Sequence, residues 1–271
     1  MISYLNPNRR IYSLRTSPEW AWCKIEHQNI PSFNCSQIGM GLEDDAGSKY
    51  MKALFVHFPK AGGASLLKSL NDSSIGKSLI LHYGDDPVDP TSLTNQNERG
   101  AREVATTITS QSDYLIYGHF APRTFTHTNY EDIFTILRHP IPWAFSLYAF
   151  WDKLRSEKFQ GHEVFTIFCK ENLGFFDMLE LAPIKHIYTK TYFAGIERSD
   201  FSFVGTHENY SRDLGTISSK FSINLREYHE HTSNYAAEGR PTFGDFKIMD
   251  RLKIRTILRT EIDFYKKFTI D

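Results

Sequence analysis

The chain has 271 residues, enough for one domain with a full hydrophobic core, and 41% of them are hydrophobic, which is ordinary for a globular protein. Its formal net charge is −1. Proteins that bind polyanions such as DNA usually carry a basic excess, so we expect no nucleic-acid partner. The three cysteines are odd in number and far apart in the sequence. They argue against a disulfide or zinc framework and predict free thiols in a reducing compartment.

Residues 1–50 are predicted to form an amino-terminal arm that packs over the core. Prolines interrupt any periodicity there, while Trp20 and Trp22 supply apolar anchors. A lid over an active site is the alternative interpretation. The first ten residues lack the apolar core of a signal peptide, and no apolar run approaches the roughly 18 residues needed to cross a bilayer. We therefore expect a cytoplasmic protein with no membrane partner.

Residues 51–271 are predicted to form the main domain, in which strands and helices first alternate. The predicted strands are 52–58, 78–82, 114–117, 132–137 and 200–205, and the early helices are 65–71 and 101–111. Later helices are predicted at 141–156, 162–171, 207–219 and 246–268. The pattern predicts an α/β fold with a central, mainly parallel sheet between layers of helices, and a helical C-terminal half.

The stretch that follows the first predicted strand has the composition of an anion-binding loop. The strand ends at Pro59, two glycines follow at positions 62 and 63, and a predicted helix begins directly after them. Loop N–H groups and the positive end of the helix dipole would converge on one point, and Lys60 adds a full charge. The lysine precedes the glycines, unlike the lysine of the nucleoside-triphosphate loop. A tight strand–helix turn without a ligand is the alternative interpretation.

A second candidate anion site follows the predicted strand 132–137. Arg138 closes the strand, and Pro140 suits the first turn of the next helix, where its missing N–H costs nothing. Ser146 lies two helical turns further on, so its hydroxyl could share an anion with the arginine. The alternatives are a salt bridge at the strand end for Arg138 and a hydroxyl facing its own helix for Ser146.

Both stretches resemble motifs of one enzyme family. Residues 57–65, H-F-P-K-A-G-G-A-S, resemble the 5′-phosphosulfate loop of sulfotransferases, close to H-x-P-K-T-G-G-T-S in the membrane-bound glycan branch. Residues 138–148 are similar to the family's 3′-phosphate motif, R-D-P-x-x-R-x-x-S-x-Y. Weaker similarities to its G-H-F and F-V-G-x-x-E segments occur at 118–120 and 203–208. The chain thus resembles a sulfotransferase of the glycan-type, heparan sulfate sulfotransferase-like branch, as a soluble bacterial member with a P-loop-like three-layer fold.

Four positions depart from the family motifs. Ala61 and Ala64 replace two threonines, which removes hydroxyl contacts but leaves the backbone of the loop. His139 replaces an aspartate, and Trp143 replaces a second arginine. The lost positive charge at position 143 predicts weaker electrostatics around the donor, or a changed acceptor side.

The resemblance implies that the sulfate donor is 3′-phosphoadenosine-5′-phosphosulfate (PAPS) and that no metal is required. Lys60 would neutralise charge on the bridging oxygen, and Arg138 and Ser146 would bind the 3′-phosphate. The backbone N–H groups expected to hold the 5′-phosphate are those of Ala61, Gly62, Gly63, Ala64, Ser65 and Leu66.

A base must accept the proton of the acceptor, and a histidine, with an ordinary pKa near 6.5, suits that task. His119 follows a strand-like run and a glycine, so we expect its side chain beside the loop, and the G-H-F resemblance points to the same residue. His82, at the end of the second strand, is the alternative base, and a structural His119 is a further alternative. His57 lies inside the first predicted strand, where a packed role is expected.

The acceptor is predicted to be a polar small molecule with a hydroxyl or an amino group. The acidic clusters at 43–45 and 85–86 are interpreted as solvated loops. The alternative is that they line the cleft, where they would suit a polar or cationic acceptor. Soluble bacterial relatives modify natural products, including guanidinium toxins of the saxitoxin type, so the resemblance implies such a substrate. The alternatives are a carbohydrate acceptor, a noncatalytic PAPS- or nucleotide-binding module and a P-loop kinase.

Overall fold

The computed structural model describes residues 51–82, 86–88, 113–126, 128–157, 162–229 and 242–269. The predicted arm at 1–50, with its acidic cluster at 43–45, and the predicted helix at 101–111 lie outside these residues.

The described residues contain a five-stranded sheet with the order β2-β3-β1-β4-β5, and every pair of neighbouring strands is parallel. This confirms the predicted α/β fold. The first and second strands end two and one residues earlier than predicted, the fourth matches its prediction, and the third and fifth end one residue later. The strands are β1 (Lys52–Val56), β2 (Leu79–Leu81), β3 (Tyr114–Gly118), β4 (Asp132–Leu137) and β5 (Phe203–Thr206).

The helices of the described residues are α1 (Gly63–Asn71), α2 (Pro140–Ser156), α3 (Glu163–Lys170), α4 (Phe175–Leu179), α5 (Ala182–Lys185), α6 (Tyr210–Phe221), α7 (Ile248–Ile257) and α8 (Arg259–Thr269). The helix predicted at 246–268 is therefore divided, with a break at the buried Leu258. A π-helical segment at Ile187–Tyr192 and the short helices α4 and α5 were not predicted, because elements this short carry no clear periodicity.

The sheet lies between two apolar layers, as the alternation of side chains along β1 requires. Ala53 and Phe55 belong to the cluster that includes the buried residues of α1 and α6. Leu54 and Val56 belong to the other cluster, which includes the buried residues of α2 and α3 and residues of the C-terminal helices. Both faces of the sheet are covered, which is typical of parallel sheets and explains why its strands are almost continuously hydrophobic. No helix within the described ranges has the length and apolar character needed to span a bilayer.

Candidate active site

The candidate site lies at the edge of the sheet where all five strands end. The residues that follow the strand ends here are His57, His82, His119, Arg138 and His207. The ends of β1 and β3 are level, since Val56 pairs with Gly118. The ends of β4 and β5 are level with each other two residues further on, since Val56 pairs with Thr135 and Leu137 pairs with Thr206. In parallel sheets, ligands bind beyond the carboxyl ends of the strands, so this edge is where a site is expected.

The loop between β1 and α1 has an unusual backbone conformation. Lys60 and Gly62 both have positive φ angles, of 62° and 87°. The left-handed region costs a residue with a Cβ about 1–2 kcal/mol, so the surroundings must hold Lys60 in place. Gly62 then caps a helix whose first internal hydrogen bond runs from Leu66 N–H to Gly62 O at 3.2 Å.

This hydrogen bond narrows the predicted set of phosphate-binding amides. The N–H groups of Gly63, Ala64 and Ser65 precede the first internal bond and lie at the amino end of the helix, where the dipole is positive. The N–H of Leu66 is already engaged inside the helix. Leu66 is therefore removed from the proposed ligands of the 5′-phosphate.

Two side chains of the β4–α2 segment donate hydrogen bonds to the backbone of the loop. Arg138 Nη1 donates to Lys60 O at 3.0 Å, and Trp143 Nε1 donates to Pro59 O at 3.1 Å. Both acceptors are carbonyls at the turn where φ becomes positive. Trp143, which replaces an arginine of the family motif, is fully buried and contributes a hydrogen bond to the loop instead of a charge to the ligand.

Gly63 is required by close packing. A Cβ at this position would lie 1.7 Å from His57 Nε2, a distance that no substituent can tolerate. On its other side, Tyr117 Oη donates to Gly63 O at 2.7 Å. The packed role that the sequence suggested for His57 is confirmed, because its ring occupies the space that a side chain at position 63 would need.

The Lys60 ammonium contacts a face of α2 to which Ser146 also belongs. The Lys60 ammonium lies over the Phe150 ring, 4.2 Å from its centroid, and Ser146 is one helical turn before Phe150. Ser146 is buried. Trp143 lies about one turn before Ser146, on the same face of the helix. This face of α2 therefore provides the hydrogen bond to the loop, the aromatic ring beside Lys60 and the hydroxyl predicted to bind the 3′-phosphate.

The backbone on either side of the Arg138 side chain is also fixed. Arg138 N donates to Tyr188 Oη at 3.3 Å, and Tyr188 Oη donates to the Arg138 carbonyl. Glu208 accepts from His139 N and from Tyr265 Oη, both at 2.9 Å. Burial lowers the pKa of His139, although the Glu208 carboxylate opposes the shift. The glutamate of the F-V-G-x-x-E segment thus has a structural partner in the predicted 3′-phosphate motif.

The predicted base, His119, is only 1% exposed. Its Nδ1 lies 3.3 Å from Asp86 Oδ2, and its ring packs edge-to-face against His57 at 4.5 Å between centroids. Through His57 it is connected to Gly63 of the loop. The alternative base, His82, packs edge-to-face against Phe125 instead.

Asp86 is buried between β3 and the π-helical segment, so the interpretation of residue 86 as part of a solvated loop is wrong. Its Oδ1 accepts from Val88 N at 2.9 Å and from Tyr192 Oη at 3.0 Å. Burial alone would raise the pKa of Asp86, but the hydrogen bond and charge of His119, together with the charge of His162 and the Val88 N–H, lower it.

His207 belongs to the same edge but was not predicted. A Cβ at Gly62 would lie 3.4 Å from His207 Cδ2, so the imidazole borders the loop. Burial and the Arg138 charge lower the pKa of His207, while Glu208 opposes them. The signal available in the sequence was its place directly after β5, the strand whose end meets the end of β4.

A cavity of about 410 Å³ opens beside Arg138. Two arginines and several apolar or aromatic side chains line it, a combination that suits a flat aromatic group with a negative charge. Its lining consists of Arg138, His139, Ile141, Pro142, Phe145, Thr242, Phe243 and Arg255. Across the described part of the chain, no group of three or more His, Cys, Asp or Glu residues is arranged to hold a metal ion.

The comparisons with known proteins are remote. No family model matches the chain, and no curated protein matches it. A crystal structure of a sulfotransferase from Alicyclobacillus acidocaldarius is similar at 14% identity and a TM-score of 0.41, covering 79% of this chain and 96% of that one.

Proposed function

We propose that the chain is a PAPS-dependent sulfotransferase that transfers a sulfuryl group to a hydroxyl or amino group of a polar small molecule. The observation that carries the proposal is the hydrogen bond from Arg138 Nη1 to Lys60 O. It joins two segments that are predicted to bind anions, through residues 78 positions apart in the sequence. A nucleotide donor with phosphate groups on both the 3′ and the 5′ oxygens of its ribose is the ligand class that needs both segments together.

The residues at the loop fit the 5′-phosphosulfate end of such a donor. The amides of Gly63, Ala64 and Ser65 provide donors at the positive end of α1, those of Ala61 and Gly62 remain proposed donors, and Lys60 belongs to the same loop. A charged donor aimed at the leaving oxygen is most effective where charge develops during transfer, which is the role proposed for Lys60.

Arg138 and Ser146 are proposed to bind the 3′-phosphate, as the motif resemblance implies. One nitrogen of the Arg138 guanidinium already serves the loop carbonyl, so the same residue would couple the 3′-phosphate to the geometry of the loop. The adjoining cavity, lined by Arg138 and Arg255 with Phe145 and Phe243, is proposed to accommodate the adenine.

His119 is proposed to accept the proton of the acceptor. When bound, the donor would supply the sulfuryl group and the leaving group 3′-phosphoadenosine 5′-phosphate (PAP). The acceptor oxygen or nitrogen forms the new bond to sulfur, and its proton passes to His119 and then to solvent. Replacement of His119 by alanine should lower turnover about 10²–10⁴-fold and leave PAP affinity near that of the wild type.

A polar small-molecule acceptor stays part of the proposal, with a natural product of the saxitoxin type as one member of that class and a carbohydrate as the alternative. Burial of Asp86 with His119 removes this carboxylate from the acidic groups that would have suited a cationic acceptor, while its neighbour Asp85 lies outside the described residues. The other cluster, at 43–45, also lies outside the described residues.

A noncatalytic PAPS-binding module is the second candidate, and the burial of His119 favours it. The two are separated by measuring binding and turnover on the same protein. Calorimetry should show that PAP binds more tightly than adenosine 5′-monophosphate (AMP), and chromatography should show acceptor-dependent release of PAP from PAPS. Tight PAP binding without release, tested over hydroxyl and amino acceptors, would identify the binding module. Failure to bind PAP would refute both candidates.

A further inference from the structure

We propose that Asp86 is a positioning residue that fixes which nitrogen of His119 accepts the proton. The inference rests on the proposed function for its catalytic meaning. The pairing of the two side chains can be tested without any turnover.

The geometry determines the tautomer of His119. Asp86 Oδ2 lies 3.3 Å from His119 Nδ1, and both side chains are buried. A carboxylate can only accept a hydrogen bond, so the neutral imidazole carries its hydrogen on Nδ1 and its lone pair on Nε2. A carboxylate in this position holds the ring in one orientation and stabilises the imidazolium that forms when a proton is accepted.

Asp86 is itself held in place from two directions. Its other oxygen accepts from Val88 N at 2.9 Å and from Tyr192 Oη at 3.0 Å. Tyr192 is the last residue of the π-helical segment, whose Tyr188 holds the backbone of Arg138. The same unusual segment therefore supports both the carboxylate beside the proposed base and the arginine beside the loop, in keeping with the frequent occurrence of π-helical turns at functional sites.

Other titratable groups lie near this pair and contribute to its pH dependence. The His57 ring contacts His119, and the charge of His162 acts on Asp86. Tyr192 is a neutral hydrogen-bond donor to the carboxylate. Asp86 is thus the anion that faces the His119 ring among the described residues, and its removal should make protonation of that ring less favourable.

The proposed proton transfer balances without a further reactant. The acceptor O–H or N–H bond breaks as the acceptor atom bonds to sulfur, and the bond from sulfur to the 5′-phosphate oxygen breaks. The proton is taken up at His119 Nε2, with Nδ1–H still donated to Asp86, and is released to solvent after the products leave.

The pairing is tested by nitrogen-15 NMR of histidine-labelled protein, with His119 assigned by the loss of its signals in His119→Gln. The wild-type spectrum should show the neutral ring protonated at Nδ1. In Asp86→Asn the titration midpoint of this ring should move to lower pH by about 1–3 units, since an anion in contact is lost. A wild-type ring protonated at Nε2 would overturn the inference, even if Asp86→Asn failed to fold. An unchanged midpoint in a folded Asp86→Asn protein would overturn it as well.

The catalytic meaning is tested on the same variants. Asp86→Asn should lower turnover by up to the roughly 10²–10⁴-fold that loss of a general base costs, and move the acidic limb of the pH–rate profile to lower pH. Tyr192→Phe is the matched control, because it removes one hydrogen bond from Asp86 but keeps the charge. It should lower turnover less and leave the limb in place. Equal shifts in both variants would assign Asp86 a purely structural role.

The outcomes for the two proposals are distinguishable. A wild-type protein that binds PAP and releases it from PAPS, with an acidic limb unaffected by Asp86→Asn, would leave the proposed function standing and remove this inference. A protein that shows the Nδ1–H tautomer and the shifted midpoint but does not bind PAP would do the reverse.

Discussion

The loop after β1 and the segment after β4 end at the same sheet edge but contribute to the proposed site in different ways. The loop offers backbone amides and depends on the glycines at 62 and 63, one with a positive φ angle and one in contact with His57. The β4–α2 segment offers side chains, of which Arg138 and Trp143 hold the carbonyls of the loop. The difference teaches that a loop with a strained backbone conformation depends on a second segment to hold it.

Among the tests that compare these two regions, the largest expected effect concerns the one side chain that the loop contributes to transfer. Lys60→Ala should lower turnover by about 10²–10³-fold and weaken PAP binding only moderately, because PAP lacks the sulfuryl group and no charge develops on its former bridging oxygen. Lys68→Ala is the control. Its ammonium also lies over an aromatic ring, that of Tyr228 at 4.7 Å, but near the opposite end of α1. Full turnover in Lys60→Ala would remove the loop from the mechanism.

The next effect tests whether the β4–α2 segment binds the ligand in addition to holding the loop. Arg138→Ala should weaken PAP binding about 10–100-fold by calorimetry, the value of a charge-assisted hydrogen bond. AMP binding should weaken less, through the lost hydrogen bond to the loop. Ser146→Ala should weaken PAP binding alone, and to a smaller extent. Arg155→Ala, at the far end of α2, should change neither affinity. Equal losses of PAP and AMP in Arg138→Ala would show that this segment does not recognise the 3′-phosphate.

A smaller effect tests the conformation of the loop. Gly62→Ala should lower the free energy of unfolding by about 1–2 kcal/mol, because alanine disfavours a φ angle of 87°. Gly195→Ala is matched to it, with a φ angle of 74° and no atom within 4 Å of the new Cβ. Denaturant titration should find similar losses for both, while calorimetry should find weaker PAP binding for Gly62→Ala alone. A PAP affinity lowered equally by both would show that the effect is not local to the loop.

The smallest effect tests the tryptophan that replaces the family arginine. Trp143→Phe and Trp151→Phe remove the same volume from fully buried positions of α2. Trp143 donates a hydrogen bond to Pro59 O, whereas Trp151 Nε1 has no hydrogen-bond partner within the described residues. Trp143→Phe should therefore be less stable than Trp151→Phe by about 0.5–1.5 kcal/mol in urea titrations. The reverse order would mean that the Pro59 contact does not stabilise the loop.

The fold could be predicted, and the two segments proposed to bind anions could be singled out, because their signals are local. Strand formers, then Pro59, then two glycines and a helix describe one turn of the chain, and Arg138 with Pro140 describes another. Local signals failed for Asp86, whose acidic neighbour in the sequence suggested a solvated loop. They also failed for residues 175–192, where short helices and a π-helical segment have no regular apolar period.

By itself, the sequence determined the parallel α/β fold and the order of the strands along the chain, and it identified the two stretches proposed to bind anions. Backbone conformation and apolar period depend on residues that are close together along the chain, so they can be read from the sequence directly. The tertiary structure alone decided that Arg138 and Trp143 hold the loop, that Asp86 pairs with His119 and that His207 borders Gly62. These contacts join residues that are distant along the chain, and burial then decides their hydrogen bonds and charges.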